Sequence, residues 1–230
     1  MYTSVIFDLD GTLLDTVTDL ALATNKTLEE NGFEALAEDN YNHYLGDGAI
    51  NLIKRVLADQ PDHLQPSEDQ LTDLVPKLVS EMKAHYAYLW SRNTRPYDGI
   101  KELVNKLKEN GSILGVVSNK PHDFAVEMTE YFFGTDIFEI ILGQKSGTPV
   151  KPAPDALYNA ITTMGIEKAS LLYIGDTDTD MKTAKNADVT SVGVTWGFRN
   201  EDELKKHGAN FIVHKASEII KVYRGQFTTK

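Results

Sequence analysis

The chain has 230 residues, 34 acidic and 23 basic, with a formal net charge of −11; hydrophobic residues make up 41% and charged residues 25%. That composition is ordinary for a globular protein with room for one or two cores, and its acidic balance argues against nucleic acid as a partner, because phosphate backbones are held by clustered Lys and Arg. The absence of cysteine excludes disulfides, thiolate catalysis and cysteine-ligated metals and fits a reducing cytoplasm, while no apolar run approaches the roughly 20 residues of a membrane span and Met1-Tyr2-Thr3-Ser4, with no basic region leading into a long apolar stretch, is not expected to open a secretory signal.

The first apolar run, Val5-Ile6-Phe7, stops at Asp8. Short, rich in β-branched and aromatic residues and ended by polar ones, it reads as a buried strand. From residue 15 to about 90 the pattern turns helical. Val17, Leu20, Ala21, Thr24 and Leu28 share one face, closed by Asn31-Gly32. Ile50, Ile53, Val56 and Leu57 fit a second helix, and Leu71, Leu74, Val75, Leu78, Met82 and Tyr86 a third, which Pro76 is expected to kink or divide. An insert of about 75 residues has the size of a small domain. The sequence therefore predicts a helical domain at 15–90 set into a core formed by 1–14 and 91–230, with Ser91 to Gly99 as the returning linker.

Beyond that linker, Ile100, Leu103, Val104 and Leu107 share a helix face that Asn110-Gly111 ends, and Leu157, Ala160, Ile161 and Met164 repeat the pattern before Gly165. Strand-like runs stand at Ile113 to Val117, Ile137 to Leu142, Leu171 to Ile174, Val189 to Val194 and Phe211 to Val213. Alternating strands and helices predict an α/β fold, a Rossmann-like, mostly parallel sheet with helices on both faces.

Ligands of such sheets bind beyond the carboxyl ends of the strands. After the first strand come Asp8 and Asp10; after the second, Ser118-Asn119-Lys120; after the third, Lys151-Pro152-Ala153-Pro154; after the fourth, Asp176, Asp178 and Asp180. Asp8 and Asp10, two residues apart on an extended segment, point the same way and repel unless a cation relieves them. Their chemistry then divides: one carboxylate attacks phosphorus, and the other gives and takes protons. A turn at a strand end is the plainer reading of the same residues. Asp176, at its strand end, is placed to bind Mg2+, which prefers oxygen ligands; Asp178 reads as a helix-capping residue, and Asp180 as either. Lys151, in a loop stiffened by two prolines, is a candidate clamp on phosphate oxygens, and a chain this acidic needs such a cation to hold an anion. Ser118 offers a hydroxyl to the same oxygens, or serves as a turn residue.

In order and spacing, Asp8-Leu9-Asp10-Gly11-Thr12, Ser118-Asn119-Lys120, Lys151-Pro152 and Gly175-Asp176 to Asp180 resemble the four motifs of the haloacid dehalogenase-like superfamily, over essentially the whole chain and with the helical cap inserted after the first motif. The resemblance implies that Asp8 is the nucleophile and a Mg2+ ligand. It implies that Asp10 is the general acid/base, with its backbone carbonyl on the metal. Ser118 and Lys151, with Asn119 beside them, would hold the phosphoryl group; Asp176 would bind the metal, and Asp180 would bind it or support a ligand. Aspartate at position 10 is the phosphatase form, absent from the dehalogenases and replaced by threonine in the ion-pumping ATPases.

Leu45-Gly46-Asp47-Gly48-Ala49, Thr94-Arg95-Pro96-Tyr97, Ser118 to Pro121 and Val150 to Asp155 look most like the phosphoglycolate phosphatases, although Asp47 stands where that subgroup often has asparagine. The expected partner is thus a small phosphorylated metabolite, 2-phosphoglycolate first, met by cap residues Gly46, Asp47, Gly48 and Arg55. Gly46 and Gly48 read first as an ordinary turn ahead of a helix, and Arg55 by default as a solvated side chain. Such caps also occur on sugar-phosphate phosphatases, nucleotidases, pyrophosphatases and β-phosphoglucomutases. A mutase, and an inactive binding protein on the same fold, are the remaining alternatives.

Overall fold

The computed structural model describes residues 2–227. The chain opens with β1 (Ser4–Phe7), β2 (Leu14–Asp15) and α1 (Val17–Glu30). A short 3-10 turn precedes α2 (Tyr41–Tyr44), α3 (Ala49–Ala58) and α4 (Glu68–Leu89). There follow β3 (Arg95–Pro96), α5 (Ile100–Glu109), β4 (Ile113–Pro121), α6 (His122–Phe133), β5 (Ile140–Gln144) and α7 (Asp155–Met164). The last elements are β6 (Leu171–Gly175), α8 (Asp178–Ala187), β7 (Thr190–Val194), α9 (Glu201–Lys206), β8 (Phe211–Val213) and α10 (Ala216–Tyr223). Two compact units result: the described residues up to Asp15 with those from Pro96 onward, and Thr16–Arg95.

The first unit is built on a six-stranded sheet in the order β5-β4-β1-β6-β7-β8, parallel throughout. All four residues of β1 are buried, as expected for a central strand covered on both faces. Right-handed crossovers place α5 and α6 on one face and α7 and α8 on the other. Ile6, Val117 and Tyr173 pack with Leu157, Ala160 and Ile161 of α7 and with Ala184 and Ala187 of α8. The chain moves outward from β1 through β4 to β5, then returns to β6 on the other side of β1. This reversal makes the carboxyl ends of β1 and β6 the place where an open sheet leaves a crevice. Two sequence expectations shift here. The third strand begins at Ile140 rather than Ile137, and α6, which shows no clean apolar period, was not anticipated.

The second unit is helical. Leu20, Ala21, Thr24 and Leu28 of α1, Leu52, Ile53, Val56 and Leu57 of α3, and Val75, Leu78, Val79, Met82 and Tyr86 of α4 are buried. Ile50, expected on the buried face, is 50% exposed. Pro76 does not divide the third helix: α4 runs unbroken for 22 residues. Pro76 lies on the exposed side, so the one lost backbone hydrogen bond faces solvent while buried side chains anchor the helix before and after it. A buried carboxylate, Asp19, holds the exit segment to α1. It accepts from the Asn93 N–H (2.9 Å), Asn93 Nδ2 (2.8 Å), the Thr94 N–H (2.8 Å) and Thr94 Oγ1 (2.9 Å).

Candidate active site

Asp8 follows β1 directly, and its N–H still donates to the Ile174 carbonyl of β6 at 2.8 Å. The strand then breaks into a tight turn. The Leu13 and Leu14 N–H groups both donate to the Leu9 carbonyl (2.9 Å each), and Gly11 takes φ +82°. A Cβ at Gly11 would lie 2.2 Å from Asp176 Oδ2, so only glycine allows the turn and this carboxylate to meet. Gly197 makes the same allowance from the other side, its Cβ position 2.3 Å from Asp176 Oδ2.

Asp8, Asp176 and Asp180 are all buried, and each offers a carboxylate oxygen within 4.8 Å of the others. Asp176 is held by Thr12 Oγ1 (2.7 Å) and by the Phe198 N–H (2.8 Å). Asp180 closes a capping box with Thr177: its Oδ2 accepts from the Thr177 N–H (3.0 Å) and Thr177 Oγ1 (2.7 Å). Lys151 reaches all of this from its loop. Its Nζ lies 2.7 Å from Asp180 Oδ1, 3.0 Å from Asp8 Oδ1 and 3.2 Å from the Tyr173 hydroxyl. Asp178 pairs with Lys182 in the first turn of α8 and stands outside the group.

One lysine against three buried carboxylates leaves the charge unbalanced. Burial pushes the Asp8 carboxyl up to about 7 against the pull of Lys151. Burial also holds Asp176 well above the carboxylate range, with repulsion from Asp180 and Asp8 added. Burial works against the charge of Lys151, yet Asp180 and Asp8 keep its ammonium well above the ordinary lysine value. A set of three convergent oxygen donors with excess negative charge suits a hard divalent cation such as Mg2+, whose binding would favour the charged forms that burial opposes.

Ser118 and Lys151 are both buried at this edge, and Ser118 hydrogen-bonds Asp8. The Asn119 side chain is used differently. Its Oδ1 accepts from the Lys151 N–H at 2.8 Å and its Nδ2 donates to the Lys151 carbonyl at 3.1 Å. Asn119 thus grips the backbone that carries Lys151, and its amide is spent on that loop.

Three contributors were not anticipated as site residues. Lys120 contacts both oxygens of Asp10, at 2.9 and 3.2 Å. Thr12 holds Asp176, and the Tyr173 hydroxyl joins Lys151 to Asp180. Tyr173 reads in sequence as one more apolar strand residue; only its position two residues before Gly175 hints that its hydroxyl lies near the strand end.

In the helical unit, Gly46 and Gly48 take φ of +113° and +84° in the loop before α3. Arg55 pairs with Asp47, and its Nη1 donates to the Tyr44 carbonyl at 2.9 Å. Arg55 is therefore engaged by the loop rather than left to solvent.

Among known proteins, a family model described as haloacid dehalogenase-like hydrolase matches residues 5–194. A phosphoglycolate phosphatase of Neisseria meningitidis is 39% identical over 94% of this chain and 91% of its own. One of Vibrio parahaemolyticus is 31% identical over 95% and 94%. The crystal structure of a putative phosphoglycolate phosphatase from Lactobacillus delbrueckii superposes with a TM-score of 0.88 at 31% identity, covering 96% of this chain and 98% of that one.

Proposed function

The chain belongs to the haloacid dehalogenase-like hydrolases and is a phosphatase, and from that premise we propose that it hydrolyses 2-phosphoglycolate by way of an aspartyl-phosphate on Asp8. The observation that carries the reading is the Asp8 carboxylate itself: buried at the end of the central strand, 3.0 Å from Lys151 Nζ, and grouped with Asp176 and Asp180.

In the first half-reaction an Asp8 oxygen bonds to phosphorus and the ester P–O bond breaks. Asp10 gives its proton to the leaving oxygen. In the second half, water bonds to phosphorus, the Asp8–phosphoryl bond breaks, and Asp10 takes the water's proton, which restores the Asp8 carboxylate and the Asp10 carboxylic acid. Lys151 and Ser118 hold the phosphoryl oxygens, Lys151 as a point charge. Asp8, Asp176 and Asp180 would hold Mg2+, which supplies electrostatic stabilisation of the charge developing on the phosphoryl group.

The substrate assignment is supported by the relatives named phosphoglycolate phosphatase and by the cap stretch Leu45 to Ala49. The test is a release assay with MgCl2 over phosphoglycolate, sugar phosphates, nucleotides and pyrophosphate. The highest kcat/KM is expected on phosphoglycolate, with activity lost in excess chelator. A tenfold preference for another ester would replace the substrate, and full activity in chelator would remove the metal.

A further inference from the structure

We propose that Lys120 is a positioning residue that holds the Asp10 carboxylate in the orientation used for both proton transfers, an inference that rests on the roles of Asp8 and Asp10 given above. The Lys120 side chain is 2% exposed and that of Asp10 18%. Lysine is almost never buried to this degree unless paired. The ammonium meets Oδ1 at 2.9 Å and Oδ2 at 3.2 Å. Contact with both oxygens fixes the rotation of the carboxylate as well as its distance.

The backbone is shaped to deliver this side chain. The register between β4 and β5 shifts between Val117 and Pro121, an irregularity of the kind that re-aims side chains at a sheet edge. Gly143 of β5 allows the close approach. A Cβ there would lie 2.6 Å from the Lys120 carbonyl oxygen and 2.6 Å from His122 Cα, both rigid backbone. The two buried lysines therefore divide the site: Lys151 serves Asp8 and Asp180, and Lys120 serves Asp10.

Lys120 keeps its own protons throughout and returns unchanged after each turnover. The consequence is specific. An alkoxide leaving group needs the proton from Asp10, whereas a 4-nitrophenolate leaves without one. With 4-nitrophenyl phosphate, loss of Lys120 should spare the first half-reaction and slow the second, in which Asp10 must take the proton from water.

The experiment is rapid-quench kinetics on full-length Lys120→Met, Lys120→Gln and Lys120→Arg with MgCl2, using 4-nitrophenyl phosphate and an alkyl phosphate. Thermal unfolding identifies which variants fold. In Met or Gln, the ratio of the nitrophenolate burst rate to the steady-state rate is expected to rise about tenfold or more. The steady-state kcat on the alkyl ester should fall by a similar factor, KM should stay within about threefold, and Arg should recover part of the loss. If KM rises tenfold and the burst itself slows, Lys120 binds the phosphoryl group instead. Unchanged kinetics in a folded variant would also overturn the proposal. If none of the neutral variants folds, Lys120→Arg decides alone, since a displaced guanidinium must alter the same ratio. Should the wild type form no phosphoenzyme on Asp8, the failure lies with the mechanism and not with Lys120.

Discussion

The two units bury carboxylates in opposite ways. Asp19 of the helical unit is fully buried, yet neutral donors surround it: two backbone N–H groups, an amide and a hydroxyl. Asp8, Asp176 and Asp180 of the α/β unit are buried as deeply, but they face one another and share one lysine. Neutral donors satisfy the oxygens of the buried Asp19 carboxylate. Crowding of like charges raises the cost of burying the other three, which a bound cation would relieve. Burial alone does not set Asp8, Asp176 and Asp180 apart from Asp19; the imbalance of charge does.

Removing one carboxylate from each unit separates the two kinds. Asp8→Asn should lower phosphate release by at least about a thousandfold, as loss of a nucleophile does. Circular dichroism should remain unchanged and the metal-free protein should be no less stable, because a crowded negative charge has gone. Asp19→Ala should do the reverse. It strands four donors and is expected to cost about 3 kcal/mol in urea unfolding, with the loss seated in the helical unit.

The imbalance also has a pH signature. Asp8 titrates near 3.8 when unfolded and at about 7 in the fold. The folded state thus binds this proton more tightly. The stability it contributes is fully present below about pH 4 and is lost as pH rises through 7. A divalent cation competes with that proton, so the rise in thermal midpoint on adding MgCl2 should be larger at pH 8 than at pH 6. Equal rises would mean that the cation does not displace it. The smallest effect is expected in the cap loop. Asp47→Asn releases Arg55 from a partly exposed ion pair, with a stability change below about 1 kcal/mol. The kcat/KM for phosphoglycolate should rise a few fold with no change on 4-nitrophenyl phosphate, read from parallel assays.

Much of this was legible in the sequence, because strand ends are local. A short apolar run that stops at Asp8 announces both a buried strand and the group at its tip. The same logic places Ser118, Lys151 and Asp176 on one edge without a structure. Lys120 was not legible: a lysine is solvated by default, and its partner Asp10 lies 110 residues away. Thr12 and Tyr173 were hidden in the same way, one inside a turn motif and the other inside an apolar run. The division expected at Pro76 does not occur, because a breaker was weighed without the packing on either side of it.

The most direct test of the central claim is acid-quenched peptide mass spectrometry of the enzyme during turnover of phosphoglycolate with MgCl2. One acid-stable, base-labile phosphoryl group is expected on the peptide carrying Asp8, absent in Asp8→Asn and depleted in Asp10→Asn, which cannot protonate the leaving alkoxide. Phosphate release at full rate with no phosphoryl group on that peptide in any of the three proteins would contradict it.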